Sequence, residues 1–192
     1  MSKLVWKPAA LLAPVPAVFV TCGTMDKPNV FTVAWTGIVC TDPTMTYISV
    51  RPQRHSYNII KESGEFAINL ASASMCRGLD TCGVLTGAKV DKFKKCSLIP
   101  EKASQISAPI IEASPLSLEC KVDRIIPLGT HDMFLSRVVA VDVEESLIDE
   151  NGKLCLSRAD LVAYSHGDYL QLGRKIGSFG YSVRKKKKNT GK

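Results

Sequence analysis

Between residues 17 and 50 the chain alternates short β-type runs with proline-bearing turns, a rhythm foreign to regularly interleaved helices and strands. Ala17 to Cys22, Val30 to Val39 and Met45 to Val50 are rich in Val, Ile, Thr, Phe, Tyr and Trp, residue types that suit a pleated, half-buried surface. Asp26-Lys27-Pro28-Asn29 and Thr41-Asp42-Pro43 separate them. Each proline fixes φ and lacks a ladder donor, so the chain must leave the strand there. The expectation is a meander of strands. Ser56 is placed to cap a short helix running to Glu62 and ended by Gly64, and Glu65 to Leu70 reads as a further strand.

Residues 72–96 break this rhythm. Met75, Leu79 and Cys82 fall at helical spacing, and a second helical piece is expected over Asp91 to Cys96. Strand character returns in Leu116 to Ile126 and Met133 to Ile148, and Asn151-Gly152 signals a hairpin before Leu154 to Leu156. Helices are thus few, short and grouped. That pattern favours a mainly β, closed antiparallel barrel with helical decoration over a doubly wound sheet. With 192 residues, 45% of them hydrophobic and 22% charged, the chain can build one sizeable core.

The net charge of +7 resembles a nucleic-acid footprint, but Arg184, Lys185, Lys186, Lys187, Lys188 and Lys192 carry six of those charges, leaving residues 1–183 at +1. The expectation is a domain over 1–183 and a basic, solvated tail over 184–192. Nucleic acid is an unfavoured partner, since the tail has no interleaved aromatics. Seven widely spaced cysteines, an odd number without C-x-x-C, point to reduced thiols in a cytoplasmic compartment. No pair has oxidoreductase spacing, so the cysteines read as structural. With three histidines no standard zinc site is legible, and no metal is expected. Pro8, Pro14 and Pro16 interrupt the apolar stretch from Ala9 to Val20, which reads as a lead into the first strand rather than a signal or membrane segment.

The absences narrow the chemistry. No G-x-G-x-x-G follows a strand, Gly83 to Lys89 misses the P-loop glycine spacing, and G-x-S-x-G does not occur. The informative stretch is Pro28 to Leu70, PNVFTVAWTGIVCTDPTMTYISVRPQRHSYNIIKESGEFAINL. Arg51 and Arg54 near a strand end and Ser56 at a helix start bring guanidinium groups, a hydroxyl and free amides together, which suits a phosphate. Solvated strand-end charges and a simple cap would read the same way. Gly37 marks a place where backbone can be closely approached.

In combination, P-N-x-x-T-x-A-W, S-V-R-P-x-R, S-Y and G-E-F-x-x-N-L, followed in order by C-G-x-x-[ST]-G, D-K-F, L-E-C and Y-x-x-G-x-Y, resemble the flavin reductase-like family of FMN-binding split barrels, which includes flavoredoxins. The resemblance extends to about Gly180. It implies a Greek-key split β-barrel with short helical insertions, FMN as cofactor, NADH or NADPH as possible donor, and a homodimer with flavin at the subunit interface. It places Thr32, Val33, Ala34, Trp35 and Thr36 along the isoalloxazine, and Arg54, above Arg51, at the phosphate. Asn29, Ser56, Asn69, Cys82, Gly83, Lys92 and Tyr164 become further cofactor-binding candidates. Trp35 and Tyr164 read equally as core aromatics, Asn29 as a turn former and Lys92 as a surface lysine. His131, in G-T-H-D, is the catalytic candidate on the nicotinamide or substrate side, or else a polar loop histidine. The expected activity is oxidoreduction from reduced nicotinamide, or a redox partner, through FMN to flavin, a protein or a small acceptor. The alternatives are flavoredoxin-type electron transfer without nicotinamide activity, and a non-catalytic module with an anion-binding tail.

Overall fold

The computed structural model describes residues 1–184. Residues 1–14 have no regular structure, so the apolar lead ends in β1 (Val15–Pro16) and β2 (Val18–Gly23). After the Asp26-Lys27 turn come β3 (Pro28–Val33), β4 (Thr36–Thr41) and β5 (Thr44–Val50). The expected single strand over Val30 to Val39 is therefore two strands, broken at Ala34-Trp35. That break organises the fold. In the seven-stranded antiparallel sheet, of order β3-β2-β6-β9-β10-β5-β4, β3 and β4 are the opposite edges, yet only two residues join them. The sheet must curl until its edges meet, and at the seam the Ser49 N–H donates to the Trp35 carbonyl (2.9 Å). A strand running straight through would pair with itself at neither edge.

Helix α1 (His55–Ser63) carries the chain across one end of the barrel to β6 (Glu65–Leu70), which pairs with β2 rather than β5. This crossing makes the barrel a Greek key. Gly64 terminates α1 in the left-handed region at φ 69, donating its N–H to the Ile60 carbonyl (2.8 Å). The N-cap residue is Arg54, and no side chain caps the helix, so Ser56 sits inside the first turn instead of capping it.

The excursion expected over 72–96 contains α2 (Cys76–Val84) and α3 (Lys92–Lys95). Two short strands, β7 (Pro100–Glu101) and β8 (Ile110–Ile111), precede the long hairpin β9 (Leu116–Pro127) and β10 (Asp132–Val143). β10 stops five residues earlier than expected, in a 3₁₀ turn over Glu145–Leu147. The Asn151-Gly152 hairpin reduces to one bridge, Ile148 with Leu154. The Asp149 carboxylate takes the N–H groups of Asn151 and Lys153 (2.9 Å each), and the strand expected over Leu154 to Leu156 gives way at its last residue to a 3₁₀ turn over Leu156–Arg158. β11 (Val162–Ser165) and β12 (Asp168–Gln171) form a final hairpin that pairs with β1.

Two apolar clusters explain why β2 reads as an unbroken hydrophobic run. Val18, Val20 and Cys22 face the barrel interior with Phe31, Ile48, Phe66 and Phe134. Ala17 and Phe19 face outward into a second cluster with Leu79, Cys82, Phe93 and Val162. A strand buried on both faces loses its polar alternation. The second cluster holds α2 and α3 against β3, which builds one wall of the site.

Candidate functional site

At the Ala34-Trp35 corner the strands part and leave a crevice of about 430 Å³. Its floor is Phe31, Thr32, Val33, Ala34 and Trp35, and its second side is Ser49, Val50 and Arg51 at the end of β5, continued by Arg54. Asp80, Gly83 and Val84 of α2 form the facing wall. The Thr32 hydroxyl donates to the Leu79 carbonyl, and a Cβ on Gly83 would lie 3.3 Å from the Thr32 Cβ. Glycine there lets helix and strand approach closely. Tyr164 and Tyr169 overhang the opening in an edge-to-face pair with centroids 5.7 Å apart, and the Tyr169 hydroxyl donates to Asp80 Oδ1 (3.3 Å). Burial, then the Asp80 charge, pushes that phenol up to about 12, so it stays protonated. His131 enters from the β9–β10 turn, its pKa lowered by burial and by the charges of Arg51 and Arg54. It is thus biased toward the neutral form near pH 7.

A smaller branch of about 140 Å³ shares Phe31 and Arg54 with the crevice and is otherwise rimmed by Gln53, His55, Ser56, Leu85, Thr86, Gly87 and Lys92. Arg54 is exposed and donates to the Gly83 carbonyl (3.1 Å), which holds its guanidinium across the junction. The backbone N–H groups of His55 and Ser56, in the first turn of α1, have no backbone partner. Asn29 Nδ2 donates to Ser56 Oγ (2.8 Å) and to Cys22 Sγ (3.3 Å), fixing the hydroxyl from below. Lys92 is 3% exposed. Its ammonium donates to the carbonyls of Cys82 (3.0 Å) and Leu85 (3.4 Å), and among the described residues no carboxylate forms an ion pair with it. Burial lowers its pKa, partly opposed by the nearby Cys82 and Cys22 thiols. A buried cation without a counter-charge is costly, and an anion in the branch offsets that cost. A guanidinium, an ammonium, a hydroxyl and helix amides beside a crevice of mixed polarity that carries aromatic rings and polar groups fit the phosphate, the ring and the polar ring edge of FMN.

The model of the flavin reductase like domain matches residues 11–173. The chain belongs to that family. This flavin reductase-like chain is 26% identical to the flavoredoxin of Desulfovibrio vulgaris (Miyazaki F), superposing with a TM-score of 0.88 over 95% of this chain and 100% of that one. It is 28% identical to an uncharacterised protein of Pyrococcus abyssi over 166 residues, 86% of this chain and 95% of that protein. An FMN reductase (NADH) RutF of Pseudomonas syringae is 23% identical over 103 residues, 54% of this chain and 56% of that protein.

In the flavin reductase-like barrel, Thr32, Val33, Ala34, Trp35, Arg51, Arg54, Gly83, His131 and Tyr164 line the crevice, and Ser56 and Lys92 line the branch. Lys92 is buried, not the surface lysine its sequence context also allowed. Asn29 supports the branch from behind. Three candidates lie elsewhere. Asn69 is fully enclosed: its Oδ1 accepts from the Ile111 N–H (2.9 Å) and Ser117 (2.8 Å), and its Nδ2 donates to Thr21 (3.0 Å), so it pins β8 and β9 to β6. Thr36 turns inward at the start of β4 and donates to the Tyr47 carbonyl (2.5 Å). The Cys82 side chain packs in the second core cluster, and only its carbonyl serves the branch, through Lys92. The sequence reading missed His55, Thr86, Gly87, Asp80 and Tyr169. Thr86 and Gly87 were within reach as the last two positions of the C-G-x-x-[ST]-G motif, and Tyr169 as the end of Y-x-x-G-x-Y. Asp80 carries no such signal. The tail residues Lys185 to Lys192 lie outside the described residues.

Proposed function

We propose that the chain binds FMN, with the phosphate in the branch against Arg54, Ser56 and Lys92 and the ring in the crevice beneath Tyr164, and that it works as a flavin reductase. FMN supplies the hydride-accepting chemistry, between a reduced nicotinamide and a flavin, protein or small acceptor. The chain's own residues bind and orient. Arg54 spans the junction of the two spaces, Trp35 and the backbone of Thr32 to Ala34 present a flat floor, and Tyr164 with Tyr169 restricts water at the mouth. Neutral His131 at the rim offers a ring nitrogen to an incoming donor, while Thr130 Oγ1 holds its Nδ1 at 3.0 Å. The observation that carries this reading is the buried Lys92 ammonium, without a carboxylate partner among the described residues, at a branch that shares Phe31 and Arg54 with an aromatic-lined crevice. The chain is proposed to act as a homodimer. Ile38 (78% exposed) and Val39 (50%) on the edge strand β4 leave apolar surface for a second copy.

NADH is the favoured donor, because the RutF relative is named an NADH-dependent FMN reductase. The likeness to flavoredoxin supports a second reading, electron transfer without nicotinamide activity. Anaerobic mixing of FMN-loaded protein with NADH and with NADPH separates them. Bleaching of the flavin absorbance by either supports the reductase reading. If neither bleaches the flavin while chemical reduction does, the nicotinamide step is wrong.

A further inference from the structure

The sequence offers no cysteine pair with oxidoreductase spacing, but the fold makes one. Cys82 on α2 and Cys96, which caps the C-terminus of α3, place their sulfurs 3.8 Å apart. Among the described residues no other two sulfurs are in hydrogen-bond contact: Cys40, Cys120 and Cys155 turn to oxygen atoms, and Cys22 faces Asn29. Side chains of α2 and α3 share the second core cluster, and Gly78 lies beside Cys96, where a Cβ would meet the Cys96 Cβ at an ordinary 3.6 Å. A disulfide needs sulfurs about 2.05 Å apart, so the pair must close by about 1.8 Å. Cys82 is 1% exposed, whereas Cys96 is half-buried and open to a small oxidant.

We propose that Cys82 and Cys96 form a thiol pair that a hydroperoxide converts to an intramolecular disulfide, locking the α2–α3 wall of the crevice. The Cys96 thiol gives up its proton and its sulfur attacks hydrogen peroxide; the S–O bond forms, the O–O bond breaks, and Cys96 becomes a sulfenic acid while the departing hydroxide takes up that proton and leaves as water. The Cys82 sulfur then attacks the Cys96 sulfur. The S–S bond forms, the S–O bond breaks, and the departing hydroxyl leaves as a second water with the Cys82 proton. Two thiols lose two electrons in total and one peroxide gains them. Burial, reinforced by Cys96, pushes the Cys82 thiol up to about 12, so Cys82 is a poor first nucleophile and attacks only as its proton passes to the departing hydroxyl.

The consequence follows from what lies between the two cysteines. The loop they would close contains Gly83 and Val84 of the crevice wall and Leu85, Thr86 and Gly87 of the branch. Cys82 itself supplies the carbonyl that holds Lys92. A covalent link therefore restrains both spaces at once and slows exchange of whatever they hold. The pair needs no flavin to exist, so it goes beyond the proposed activity and is tested separately from it.

The fully reduced protein is titrated with hydrogen peroxide, quenched with iodoacetamide, and digested without reductant. The expected product near one equivalent is a Cys82–Cys96 cross-linked peptide, two hydrogens lighter than the reduced pair and restored by dithiothreitol. In Cys82→Ser, dimedone labels Cys96 instead; in Cys96→Ser, which leaves the buried residue in place, Cys82 stays reduced and unlabelled. FMN-loaded protein is then compared before and after oxidation, and the oxidised form is expected to release FMN several-fold more slowly. Dimedone labelling of Cys96 in the unsubstituted protein without the cross-link, or a bond from either cysteine to another residue, overturns the pairing. An unchanged release rate in the cross-linked protein overturns the lock. Failure to bind FMN at all would count against the functional reading and leave the cross-link result standing.

Discussion

Gly87 offers a sharp test of how the branch is built. A Cβ at this position would lie 2.1 Å from Asn29 Oδ1 and 3.0 Å from His55 Cδ2, and since ordinary contact begins near 3.4 Å, Gly87→Ala drives its methyl about 1.3 Å into the Asn29 amide. Asn29 cannot swing aside freely, because its Nδ2 holds Ser56 at 2.8 Å and Cys22 at 3.3 Å in a buried position. Relief breaks the Ser56 bond, worth about 1 kcal/mol net, and adds the cost of overpacking, about 1–3 kcal/mol. The expected loss is about 2–4 kcal/mol of unfolding free energy in urea without flavin. FMN affinity, read by flavin fluorescence quenching, should fall about tenfold, because a displaced Ser56 loses a charge-assisted hydrogen bond of about 1.5 kcal/mol. Riboflavin, which lacks the phosphate, should be affected much less. Gly173→Ala is the control, since a Cβ there meets nothing within 4 Å, and its effect should stay within about 0.5 kcal/mol. If Gly87→Ala matched Gly173→Ala in both stability and FMN binding, the packing of the 85–90 loop on Asn29 and the phosphate assignment would both be refuted.

The same ligand comparison reads the two cations. Arg54→Ala and Lys92→Met should each weaken FMN by about 10- to 100-fold and riboflavin far less; equal losses would show that neither cation meets the phosphate. A different site gives a pH prediction. Asp142 has a buried Oδ2 without a hydrogen-bond partner among the described residues, and burial together with the Glu119 carboxylate raises its pKa from 3.8 to about 6. A proton on Asp142 supplies the missing donor. The folded state keeps that proton between about pH 4 and 6 while the unfolded chain releases it, so stability falls as pH rises through this window. The full displacement is worth at most about 3 kcal/mol, screened by partial exposure to about 1–2 kcal/mol. Asp142→Asn should therefore stabilise the protein by that amount at pH 8 and by almost nothing at pH 4, and an equal effect at both values in urea unfolding would remove the shared proton. Phe134 is fully buried and stacks edge-to-face on Tyr57 at 5.2 Å; Phe134→Ala should cost about 3–5 kcal/mol, and a loss under 1 kcal/mol would mean the barrel interior is not packed around it.

The order and type of most elements were legible because they depend on local chemistry. Gly23, at φ 88, ends β2 and Pro28 opens β3, Pro43 separates β4 from β5, and Gly64 ends α1. The seam was not legible. Ala34-Trp35 lies inside an unbroken β-type run, and only the pairing of β3 and β4 with different neighbours shows that the chain must turn there. The same limit separates the site residues. Arg54, Ser56 and Lys92 are recognisable as anion-binding types, but whether a side chain points outward depends on register and on what covers it. Asn69 and Thr36 sit in runs resembling flavin-contacting segments, yet each turns into the protein to satisfy backbone groups at 2.9 Å and 2.5 Å. Lys92 reads as solvent-exposed within Lys-Phe-Lys-Lys; its burial arises from α3 docking on α2, a long-range event. Cys82 and Cys96 meet for the same reason, fourteen residues apart with no motif to announce them.

FMN is proposed to set its phosphate at the buried ammonium of Lys92 and its ring beside Trp35, across two spaces that share Phe31 and Arg54. Titration of the flavin-free, full-length protein with FMN and with riboflavin, followed by absorbance and fluorescence, tests it most directly. Both should bind saturably with a shifted flavin spectrum, FMN at least about tenfold more tightly in keeping with one charge-assisted contact. Equal affinity for the two, or no spectral change at saturating FMN, would contradict it.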